Sequence, residues 1–246
     1  MIFIYFIFKL FEKMADPNVV SFYEAVYTTG DTETIDRLFP LVKNKVDMLK
    51  IICEMAKFGN IDIVKCLHKN GVDINKFLYP RSSEAATPLI FAAIEGHVDI
   101  VDYLLPFVDI NAVDFEDEWT VLMYACYYGQ IDVVDRLLNV EGCDVNYRGY
   151  NSEIIDVSAL SLAVETGRHE IVDRLIVHGA DIHFQDQDGN NLLHLAVQNN
   201  DLQMVNHIWL LGLDINQQNF DGDTPLTLAS KLGLDEIEKL IIKFQD

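Results

Sequence analysis

Apolar and polar positions along the chain repeat as one phrase. A short apolar stretch ends in a small residue, two variable positions and a glycine, and an acidic residue then opens a second stretch with apolar residues at helical spacing. One copy reads Ala92-Ala93-Ile94-Glu95-Gly96-His97-Val98-Asp99-Ile100-Val101, and the next reads Ala125-Cys126-Tyr127-Tyr128-Gly129-Gln130-Ile131-Asp132-Val133-Val134. The glycine slot falls at Gly30, Gly59, Gly96, Gly129, Gly167, Asn200 and Gly233, in steps of 29, 37, 33, 38, 33 and 33 residues. A period of that length means a stacked array, in which each unit buries its apolar face against its neighbours.

Each unit is predicted to hold two helices. Thr87-Pro88-Leu89, Thr120-Val121-Leu122, Ser158-Ala159-Leu160, Asn191-Leu192-Leu193-His194 and Thr224-Pro225-Leu226 open the first helix. A hydroxyl or amide at that position satisfies an orphan backbone N–H. The second helix follows the glycine slot, as in Asp62-Ile63-Val64-Lys65-Cys66-Leu67 and Glu170-Ile171-Val172-Asp173-Arg174-Leu175-Ile176. The exits read Gly71-Val72-Asp73-Ile74-Asn75, Asp109-Ile110-Asn111, Asp144-Val145-Asn146, Gly179-Ala180-Asp181-Ile182-His183 and Gly212-Leu213-Asp214-Ile215-Asn216. Where it is present, glycine there supplies a left-handed cap before an extended loop.

These residues resemble the ankyrin repeat, whose motif runs Thr-Pro-Leu-His, a Gly-His turn, an Ile-Val-x-x-Leu-Leu helix and a Gly-Ala-Asp-Val-Asn exit. The resemblance covers roughly residues 20 to 246 and implies an all-α ankyrin-repeat solenoid of about seven units, the first degenerate. The expected organisation is an extension over 1–19 and a single repeat domain over 20–246, with units near 20–46, 47–80, 81–114, 115–150, 151–185, 186–218 and 219–246. The motif's histidine survives only as His194, in a copy with Asn191 in place of Thr, so the family's Thr-to-His hydrogen bond is not expected intact anywhere. The first copy reads as a worn cap, and the last helix, with Glu236, Glu238, Lys239 and Lys243, as one that can face water.

The apolar run Met1–Phe8 is too short to span a membrane, which takes roughly 20 residues, and lacks the flanks of a signal peptide. Met14-Ala15-Asp16-Pro17 looks like an ordinary start, so the first thirteen residues read as an over-extended gene model, with an apolar helix packed on the first repeat as the alternative.

The formal charge of −21 repels nucleic-acid phosphate and anionic lipid, so neither is an expected partner, and a charge-steered partner is basic. Cys53, Cys66, Cys126 and Cys143 lack metal-ligand or Cys-x-x-Cys spacing and read as core thiols. They suit a reducing compartment, hence the cytoplasm or nucleus.

No catalytic constellation, metal set or cofactor motif emerges. His169-Glu170-Ile171-Val172-Asp173 lacks the second histidine of a metalloprotease helix, and the glycines follow the repeat rather than cluster around a phosphate. The chain is therefore read as a monomeric, non-enzymatic scaffold or adaptor that binds another protein, with an inhibitor or effector that blocks a target enzyme as the alternative. The resemblance implies a concave binding face built from loop tips and the residue pair before each glycine slot. Candidate partner-binding residues are Ile94, Glu95, Tyr127, Tyr128 and Glu165 in those slots, Phe115 and Trp119 on the preceding loop, and Phe77, Tyr79, Tyr147 and Tyr150 in the lengthened loops. Adjacent aromatics at Tyr127-Tyr128 exceed what a solvated turn needs, and aromatics are over-represented among interface hot spots. The resemblance also implies asparaginyl hydroxylation, for which Asn75, Asn111, Asn146 and Asn216 hold the matching position.

Overall fold

The computed structural model describes residues 16–78, 86–114, 117–150 and 156–245. The N-terminal extension up to Met14 therefore lies outside the described residues. The chain falls into two compact units, Met1–Pro80 with Glu84–Val108, and Arg81–Ser83 with Asp109–Asp246.

Among its described residues the first unit contains three helix pairs: α1 (Pro17–Glu24) and α2 (Thr32–Val42), α3 (Met48–Lys57) and α4 (Ile61–Lys69), α5 (Pro88–Glu95) and α6 (Val98–Leu104). A π-helical turn over Ala25–Thr29 separates α1 from Gly30, the irregularity expected of a degenerate first copy. Inner helices α3 and α5 pack together, and outer helices α2, α4 and α6 follow in order.

The second unit contains four pairs: α7 (Val121–Tyr128) and α8 (Ile131–Leu138), α9 (Ala159–Glu165) and α10 (His169–Val177), α11 (Leu192–Gln198) and α12 (Leu202–Leu210), α13 (Pro225–Leu232) and α14 (Asp235–Gln245). Its inner helices pack in the order α7, α9, α11, α13. A short antiparallel hairpin, β1 (Arg148–Tyr150) and β2 (Asp156–Ser158), pairs Gly149 with Val157 ahead of α9.

The outer helices bury one narrow stripe. Ile63, Val64 and Leu67, then Val133, Val134 and Leu137, then Met204, Val205 and Ile208 are all fully buried, at i, i+1 and i+4. Inner helices α9 and α11 each pack between two others and bury most of their circumference, as over Leu192–Val197. The cap signals act as the sequence implies. Thr87, Thr120, Ser158, Asn191 and Thr224 each accept a hydrogen bond from the backbone N–H three residues on. At the sixth glycine slot Asn200 takes φ +54, the left-handed conformation that asparagine tolerates better than most side chains.

An Asn-to-His pair stands where the motif has its Thr-to-His hydrogen bond. Asn191 caps the N–H of His194, while the His194 ring accepts from the Asn191 N–H and its Nε2–H donates to the Asp223 carbonyl, 2.9 Å away. A short amide side chain thus does the capping work of the missing threonine. Ser158 with Ser161, and Thr224 with Thr227, form reciprocal capping boxes at the same place in their repeats. Polar clips therefore reinforce the packing at these positions.

Candidate protein-binding face

The central residues of the face are organised by one buried carboxylate. Asp114 accepts from the Asp117 N–H at 2.9 Å, the Trp119 N–H at 3.1 Å and the Tyr124 hydroxyl at 2.8 Å. This holds Trp119 against α7, in ring contact with Tyr124 at 5.2 Å and Tyr127 at 5.4 Å. The indole N–H donates to the Tyr150 carbonyl, and the Tyr150 N–H donates to the Asp117 carbonyl, so the hairpin is tied to the preceding loop. Gly149 makes that approach possible, because a Cβ there would stand 2.6 Å from the Glu118 carbonyl oxygen.

Tyr127 and Tyr128 lie in edge contact, 5.3 Å between centroids, and are 40% and 46% exposed at the end of α7. Tyr150 is exposed and Tyr147 half-buried. Trp119 differs from its expected role as an exposed reading residue. It is 7% exposed, because the hairpin and α7 close over it, and it supports Tyr127 from within.

Glu165 holds on α9 the place that Tyr127 holds on α7, two residues before the glycine slot. The two helices pack side by side. Glu165 is half-buried, and its carboxyl has neither a hydrogen-bond donor nor a cation as partner among the described residues. Burial, reinforced by the nearby Asp186 carboxylate, pushes its pKa up to about 7. Asp186 itself is buried and accepts from the Asp188 N–H, the Asn190 N–H and the Asn190 amide, so its position is fixed.

In the first unit, Phe77 and Ile94 are half-buried, and Glu95 is exposed within 3.9 Å of Lys57. Tyr79 and Phe115 lie outside the described residues. Among the described candidates, the structure groups Trp119, Tyr127, Tyr128, Tyr147 and Tyr150 around the α7 loop, while Phe77, Ile94 and Glu95 belong to the other compact unit.

The candidate hydroxylation positions carry a structural clip. Asn111 donates to the Gly142 carbonyl at 2.7 Å and accepts from the Asp144 N–H at 2.9 Å, while Asn146 repeats this with Gly179 at 3.0 Å and Asp181 at 2.8 Å. Asn75 donates to Phe107, and Asn216 accepts from Gln245. Cys53, Cys66 and Cys126 are buried and free, and burial raises each thiol pKa. None of the described helices is long and apolar enough to cross a membrane, and no group of three or more His, Cys, Asp or Glu among the described residues is arranged to hold a metal.

Sequence reasoning overlooked three residues of this region. Arg148, in the same lengthened loop as Tyr147 and Tyr150, binds Asp156 at 2.8 Å and the Gln185 carbonyl at 2.6 Å and lies over the Phe184 ring. Asp186 was legible only as part of an Asp-x-Asp-Gly turn. Phe220, 79% exposed, covers Gly189 at the tip of a later loop, where the following Asp221-Gly222 turn signal marks the loop but not the ring.

Helix pairs capped by a hydroxyl or amide, closed by a left-handed residue and clipped by exit asparagines define a repeat protein of the ankyrin type. A family model described as ankyrin repeats (3 copies) matches residues 49–149 and 160–246, and the chain belongs to that family. Ankyrin repeats are generally modules for protein–protein interaction. The chain is also similar to an L-asparaginase of Dirofilaria immitis, 31% identical over 148 residues, which is 59% of this chain and 23% of that protein. The match therefore spans less than a quarter of that relative's length.

Proposed function

We propose that this protein is a non-enzymatic scaffold or adaptor that holds a protein partner along the inner-helix ends and loop tips. The observation that carries this reading is the exposed Tyr127–Tyr128 pair, backed by buried Trp119. Adjacent tyrosines that the fold leaves 40% and 46% exposed add nothing comparable to the core, yet they suit an interface anchor. The formal charge of −21 favours a basic partner surface. The catalytic name of the Dirofilaria immitis relative belongs to a protein more than four times the length of the match.

The test is affinity capture from native lysate with the wild-type chain beside a Tyr127→Ala, Tyr128→Ala variant. The expected result is a partner retained by the first and depleted at least tenfold by the second. Equal recovery would refute the anchor, and ammonia release from L-asparagine by the purified chain would refute the non-enzymatic reading.

A further inference from the structure

The negative charge is unevenly distributed. The unit comprising Arg81–Ser83 and Asp109–Asp246 has 25 Asp and Glu against 8 Lys and Arg, a formal −17, while the other unit has 14 against 10, a formal −4. The exposed aromatic pair and the unpartnered Glu165 both lie in the strongly acidic unit. There, α7 presents Tyr127 and Tyr128, α9 presents Glu165 at the corresponding position, and the loop beneath carries Tyr150 and the exposed Glu118. Along the same row the next helices differ. Exposed Gln198 is neutral, and Lys231 is bound to Asp223 at 2.6 Å.

We infer that the α7–α9 face of this unit holds an arginine-bearing segment of the partner protein, with guanidinium planes stacked on Tyr127 and Tyr128 and an ion pair to Glu165. This rests on the protein-binding reading above. The chemistry favours arginine over lysine, because a planar, weakly hydrated guanidinium covers a ring and forks onto a carboxylate, whereas an ammonium is a strongly hydrated point charge. Helices packed about 8–10 Å apart are crossed by an extended chain in about three residues, so cations spaced i, i+3 match α7 and α9.

Glu165 makes this contact sensitive to pH. With its pKa at about 7, the free carboxyl is part-protonated at neutrality, and an arriving cation favours the ionised form. Binding then releases a proton, and affinity rises by about tenfold from pH 6 to pH 8. The other titratable or charged groups on elements packed against α9 are Tyr124, Cys126, Tyr127 and Tyr128 on α7, Asp156 on β2 paired with Arg148, and His194 on α11, whose burial lowers its pKa. On α10 and its turn stand Arg168, Glu170, Asp173, Arg174 and His169, the last held by Asp201 at 3.1 Å. A pH dependence that originates in His169 would survive removal of the Glu165 charge.

The experiment uses the full chain and three fluorescent nine-residue peptides with Arg, Lys or Glu at every third position among Gly and Ser. Anisotropy is read at pH 6 and pH 8 in 0.15 M salt, with circular dichroism confirming that each variant is folded. Expected are several-fold tighter binding of the Arg than the Lys peptide, no binding of the Glu peptide, and loss of the Arg preference in the Tyr127→Ala, Tyr128→Ala variant. Glu165→Gln flattens the pH dependence, whereas Glu170→Gln on the outer helix, an equal charge change, leaves it intact. Equal Arg and Lys affinities, indifference to the tyrosines, or equal effects of the two glutamate substitutions would each overturn the inference. A lysate partner that still depends on the tyrosines would in that case leave the protein-binding reading standing.

Discussion

Replacing Glu165 with glutamine isolates the cost of holding a carboxyl where its charge is unwelcome. Glutamine keeps the size of the protonated side chain and removes its ionisation. In the unfolded chain Glu165 ionises near 4.5, and in the folded chain it does so near 7. Between those values the folded state retains a proton that the unfolded state has lost, so this residue's contribution makes stability fall as pH rises. The loss begins near pH 4.5 and is complete above about pH 7. At about 1.4 kcal/mol per pH unit the full penalty is about 3 kcal/mol, and water reaching the half-buried carboxyl reduces it to roughly 1–2 kcal/mol. Glu165→Gln is therefore expected to be more stable than the wild type by that amount at pH 8 and within about 0.5 kcal/mol of it at pH 4. Urea unfolding of both proteins at the two pH values measures this, since the other titrating groups cancel in the comparison. A difference of the same size at pH 4 and pH 8 would refute the burial argument.

Trp119→Ala removes a ring buried to 7% exposure and the hydrogen bond that ties it to Tyr150, so it is expected to cost about 3–5 kcal/mol in urea unfolding. A cost under about 1 kcal/mol would return Trp119 to the surface role first expected of it. Asn146→Ala loses both bonds of one exit clip and is expected to cost about 1–2 kcal/mol. His183→Asn, by adding an amide where the clip is missing, should gain a few tenths of a kcal/mol to about 1. The thiols of Cys53, Cys66 and Cys126 are buried with raised pKa, and that of Cys143 is pushed up to about 11. A disulfide reagent at pH 8 is therefore expected to modify Cys143 first and slowly, and all four rapidly in urea. Rapid labelling of the native protein would contradict the packing.

The helix pairs were legible because each of their signals acts within a few residues. A residue forced to φ near +70 reads as Gly30, Gly129 or Gly233 wherever it falls, and a cap needs one hydroxyl or amide three positions before the N–H it satisfies. Even the asparagine at position 200 follows from backbone geometry alone. The site was legible only in part. Tyr127 and Tyr128 stood out because their repeat slot demands no ring, but their equivalence to Trp119 in the sequence did not carry into space.

By itself, then, the sequence determined the period, the two helices of each unit, their caps and the acidic balance, all of which depend on local backbone geometry or on simple addition of charge. Only the tertiary structure decided that Trp119 is covered while its neighbours are not, that the Asn191 side chain caps the His194 N–H, and that Glu165 stands half-buried near Asp186 without a partner. Burial and desolvation are set by every atom around a group, and those atoms come from helices and loops tens of residues away along the chain.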